Sequence, residues 1–96
     1  MAGLPPATPV NVTTSAVVRA AASIYKGACV RETAGAAAAV RIYDNASAAS
    51  GTLLATISLP ANGSHTDVTP VGGVQAANGI YWSVVSGAVE GTVRVG

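Results

Sequence analysis

The chain has 96 residues, five Lys or Arg against four Asp or Glu, and a formal net charge of +1. So little charge excludes disorder driven by self-repulsion, and it excludes the basic footprint that nucleic-acid binding requires. Half of the residues are apolar, but with no Phe, one Trp and three Tyr they predict one small domain with a core built mainly from Ala and Val.

In chain order, Leu4-Pro5-Pro6-Ala7-Thr8-Pro9 comes first and is unsuited to a central strand, because proline lacks the amide donor. It is read as an extended arm, residues 1–14, ahead of a domain covering residues 15–96. Strand patterns follow at Asn11 to Thr14, Ala16 to Ala21, Ser23 to Glu32, Ala37 to Tyr43, Thr52 to Leu59, Ser64 to Val68, Val74 to Ala76, Ile80 to Val85 and Val89 to Val95. Turn formers separate them: Ser50-Gly51, Pro60-Ala61-Asn62-Gly63, Pro70-Val71-Gly72-Gly73, Asn78-Gly79 and Ser86-Gly87. Period-two alternation puts Ala38, Val40 and Ile42 on one side. It does the same for Leu53, Ala55, Ile57 and Leu59, for Ile80, Trp82 and Val84, and for Val89, Val93 and Val95. In Ser15 to Val30 a helical spacing of Val17, Ala21, Ile24 and Ala28 competes with the strand reading. The pairs Val17-Val18 and Ile24-Tyr25, with the β pattern around them, favour strands. The expected fold is all-β: a single antiparallel β-sandwich, jelly-roll-like, of about eight short strands with a Pro-rich N-terminal arm.

Little in the chain points to chemistry. His65 is the only histidine, so no histidine-rich zinc site forms within one chain. Ser64, His65 and Asp67 lie on one strand with alternating faces and no nucleophile elbow, which argues against a nucleophile–base–acid relay. Asp44-Asn45 fits a turn better than a calcium ligand set. The carboxylates Glu32, Asp44, Asp67 and Glu90 are scattered, and Gly72-Gly73 lacks the lysine and helix of a phosphate loop. Cys29 is alone, which excludes an intramolecular disulfide, and it is read as a small buried hydrophobe. The opening residues lack the basic start and apolar run of a secretory signal, and no apolar stretch is long enough for a membrane helix. Tyr81 and Trp82 adjoin on one strand, so one ring faces the core and the other outward, where it can anchor an interface.

Two stretches carry a family resemblance. Tyr43-Asp44-Asn45-Ala46-Ser47-Ala48-Ala49-Ser50-Gly51-Thr52 with Leu54-Ala55-Thr56-Ile57, and then Ala76-Ala77-Asn78-Gly79-Ile80-Tyr81, resemble small structural proteins of tailed-bacteriophage virions. Those are head decoration proteins, head fibres and tail-surface modules, and the likeness extends over roughly residues 15 to 96. It implies a non-enzymatic, cofactor-free and metal-free β-sandwich made in the host cytoplasm and bound to the virion, most specifically at the capsid surface. It implies the major capsid protein or another virion protein as partner, self-association favouring a homotrimer, and neither nucleic acid nor membrane. The alternative is a tail or fibre module that contacts a host receptor or glycan. Candidate interface residues are Leu4, Pro5, Pro6, Pro9 and Val10 of the arm, with Tyr81 and Trp82.

Overall fold

The computed structural model describes residues 7–96. They form nine strands: β1 (Thr8–Val12), β2 (Ala16–Arg19), β3 (Ser23–Glu32), β4 (Ala38–Asp44), β5 (Thr52–Leu59), β6 (Ser64–Asp67), β7 (Val74–Ala76), β8 (Ile80–Ser86) and β9 (Val89–Val95). One antiparallel sheet, sheet A, runs β1-β9-β3-β6, with β7 also on β3. The other, sheet B, runs β2-β8-β4-β5. The pairing is nested: β4 with β5, β3 with β6 and β7, β2 with β8, β1 with β9. A long hairpin is thus folded over itself, and β3 with β9 and β4 with β8 complete the two sheets. This is the winding of a jelly roll.

Alternation decides what lies between the sheets. Val40, Ile42, Ile57, Leu59, Ile80, Trp82, Val93 and Val95 are buried, joined by Tyr25, Ala28 and Val30 of β3. Four register shifts interrupt the alternation, and two of them bear most on the faces described below. In β3 the register against β9 slips between Tyr25 and Ala28, and Gly27 there has φ +108°. Its missing Cβ would stand 2.6 Å from the Asp67 carbonyl oxygen, so glycine lets β6 close on the bulge. In β5 the extra residue is Leu54: Ile42 opposes Ala55 while Tyr43 opposes Leu53. Leu54 therefore packs on the core and Leu53 turns outward, 46% exposed, against the inward position that simple alternation assigns it.

The helical reading of Ser15 to Val30 gives way to β2 and β3. Thr8–Val12 is an edge strand on β9, and Pro9 is tolerated there because an edge strand leaves alternate amides unpaired. Val10 consequently faces the core side, half-buried, instead of lying on an arm.

Glu32 ends β3 with its side chain inward, 5% exposed. Its carboxylate accepts from the amides of Ala34, of Gly35 at 2.8 Å and of Asn62 at 2.8 Å, which ties two loops to the sheet end. These amide donors, led by Asn62, hold its pKa below the usual carboxylate value. A depressed native pKa gives stability that is present above the unfolded value and lost as pH falls through the native one. Thermal melts from pH 7 to 2 are expected to show wild type losing Tm below about pH 4. Glu32→Gln should start lower at pH 7 and fall less; parallel curves would contradict this anchor.

Candidate functional site

The two outer faces of the sandwich differ in chemistry. On sheet A the outward side chains are polar and paired. Arg31 Nε donates to Glu90 Oε1 at 2.6 Å, and Thr92 Oγ1 donates to Asn11 Oδ1 at 3.3 Å. Cys29 is half-buried on this face, not in the core, because the Gly27 bulge puts it opposite Thr92 and Thr66. Arg94 Nη1 donates to its sulfur at 3.2 Å, and the thiol reaches Thr66 Oγ1 at 3.8 Å. The Arg94 hydrogen bond, then that of Thr66, lowers the Cys29 pKa. Arg94 lies on another strand, so no local pattern signals the contact.

Sheet B presents an apolar row instead. Val17 of β2 opposes Tyr81 of β8, Tyr81 opposes Tyr43 of β4, and Tyr43 opposes Leu53 of β5. Four side chains in direct register thus cross the whole sheet, spanning about 14 Å at the usual strand spacing. Val17 is 44% exposed and Leu53 46%, with the two tyrosines half-buried between them. Arg41 of β4, opposite Ser83 and Thr56, is the neighbouring charge. Aromatic groups flanked by aliphatic ones, with one cation beside them, have the composition of a protein-binding patch.

The candidate residues therefore separate. Tyr81 lies in this row. Trp82 does not: it is fully buried, since Ile80 and Val84 share its side of β8 and carry it into the core. Pro9 is exposed on the edge of sheet A, Val10 is half-buried beneath it, and Leu4, Pro5 and Pro6 lie outside the described residues. Val17, Tyr43 and Leu53 carry no motif of their own; only cross-strand register assembles them. The exposed valines Val68 and Val71 sit apart, on the loop between β6 and β7.

The acid-base candidates do not converge. His65 Nε2 is 3.9 Å from Asp67 Oδ1, but the other Asp67 oxygen accepts the Tyr25 hydroxyl at 2.6 Å. Burial, and then that hydrogen bond, push the Tyr25 pKa above its ordinary value. Ser64 opposes Arg31 and His65 opposes Val30, so the two neighbours point to opposite sides of β6. Among the described residues no group of three or more His, Cys, Asp or Glu is placed to hold a metal ion. Asp44 works as a strut: it accepts from the amides of Ala77 at 3.3 Å and Asn78 at 2.8 Å. Asn45 closes its own turn by accepting from Ser47 and Ala48 at 2.8 and 2.9 Å.

No protein-family model, curated protein or solved structure matches the chain.

Proposed function

We propose that this chain is a non-enzymatic structural protein of a tailed-phage virion, a head decoration or accessory protein that binds the assembled major coat lattice. The observation that carries the reading is the Val17–Tyr81–Tyr43–Leu53 row on the outer face of sheet B. A face of this kind gains by burial against protein, and tyrosines are common energetic centres of interfaces. The jelly-roll winding agrees with the reading, since viral capsid domains use it, although lectins and cupins share it and fold alone assigns no role. The resemblance in residues 43–57 and 76–81 supplies the link to phage particles. The burial of Trp82 removes one of the two aromatics available to the alternative, glycan-binding reading.

The test uses undecorated phage heads and co-sedimentation. Val17→Thr, Leu53→Thr and Tyr81→Ser combined are expected to keep the fold, because all three side chains point out of the core. Loss of one hot-spot residue is worth 2 kcal/mol or more, so binding should weaken by about 30-fold or more. Unchanged binding by a folded triple variant would remove sheet B as the docking face.

A further inference from the structure

The N-terminal strand, like β2 and β7, is held extensively by a single neighbour. β1 packs on β9 and makes no other extensive contact. Of its five side chains only Val12 is buried and Val10 half-buried; Thr8, Pro9 and Asn11 are exposed. Immediately after it, Thr13, Thr14 and Ser15 cross from sheet A to sheet B, all three exposed. Four Cα–Cα steps from Val12 to Ala16 reach at most about 14 Å, and crossing between packed sheets uses about 10 Å of that. The connection is therefore short, and its three residues are bent. It bridges an open hollow bounded by Thr33, Val84, Gly87 and Glu90 instead of resting on packed side chains. The far end of the crossing is fixed, since Ser15 Oγ accepts the Val84 amide at 2.9 Å.

We propose that β1 is an exchangeable strand: in an assembly of this chain, Thr8–Val12 of one copy pairs with β9 of a second copy in the same register. Every β1–β9 contact is then preserved, and the change falls on Thr13 and Thr14, which straighten when relieved of the crossing. Short hinges of this kind favour exchange between copies. The occupant is a second copy of this chain because the vacated β9 edge is shaped for this sequence: Val10 and Val12 reach the core side, and Asn11 meets Thr92. An intramolecular strand competes at an effective concentration in the millimolar range, so exchange belongs to crowded, repeated arrangements of copies. The inference stands whether or not the partner surface is a phage head.

The experiment uses the full chain with Cys29→Ser throughout. One variant carries Asn11→Cys and another Thr92→Cys, residues that face each other across β1 and β9. The two are unfolded together, refolded at about 1 mM and oxidised. A covalent heterodimer on non-reducing gels is expected, well above the level formed when Asn11→Cys is paired with Thr56→Cys on the exposed edge strand β5. Circular dichroism of the isolated heterodimer should match wild type. Cross-linking no greater than with the off-register partner would overturn the proposal. The double variant Asn11→Cys/Thr92→Cys, refolded dilute, is the check on geometry: its internal disulfide shows that the pair can bond. With that bond formed and the mixed pair silent, exchange is excluded.

Discussion

Trp82→Ala is expected to destabilise the domain by about 3–5 kcal/mol, enough to abolish or nearly abolish folding at 37 °C. A domain of 96 residues has about 5–14 kcal/mol in total. Trp82 is the largest of the fully buried side chains, in an interior otherwise filled mostly by Val, Ala and Ile. With no phenylalanine in the chain, small neighbours cannot move far enough to refill the space, so the cavity persists. The indole carries a liability as well: among the described residues Trp82 Nε1 is the buried side-chain polar atom without a hydrogen-bond partner. An unsatisfied buried donor costs about 1–3 kcal/mol. Trp82→Phe removes that donor while keeping most of the ring, so its stability is expected to stay close to wild type. Urea titrations followed by circular dichroism give both numbers. A Phe variant as damaged as the Ala variant would show that the indole N–H is satisfied and contributes to the fold.

Gly79→Ala is expected to cost about 2–5 kcal/mol, although it adds a single methyl group. Gly79 has φ +149°, and a Cβ there would lie 2.5 Å from the Arg19 carbonyl oxygen, 3.0 Å from Ala46 Cα and 3.1 Å from the Asn45 oxygen. All three obstacles are backbone, from two separate segments, so no side chain can swing aside. The same locus holds the Asp44 carboxylate against the amides of Ala77 and Asn78. Residues 43–57 and 76–81 thus meet in space and lock the ends of β4 and β8 together. Thermal unfolding of Gly79→Ala is the check; a Tm within a degree of wild type would mean that this junction is loose.

Much of the fold is legible along the chain, because alternation and turn residues are local signals. The limits of β3, β5, β7 and β9 are those that the pattern predicts. What escapes is whatever depends on partners across strands. Pro9 argues against a central strand, and only the pairing with β9 shows that Thr8–Val12 is an edge strand. Leu53 changes sides because a bulge at Leu54 breaks the period. The adjacency of Tyr81 and Trp82 shows that one faces inward; the apolar neighbours Ile80 and Val84, on the side of Trp82, are the signal that decides which. The row from Val17 to Leu53 and the Arg94 contact to Cys29 join residues 36 and 65 positions apart, and only the register brings them together.

The most direct measurement is cryo-electron microscopy of undecorated phage heads mixed with the purified protein. Ordered density at regular lattice positions is expected, with the outer face of sheet B turned toward the coat and the row from Val17 to Leu53 covered. Heads that stay bare at saturating protein, with the protein folded in the same buffer, would contradict the decoration role.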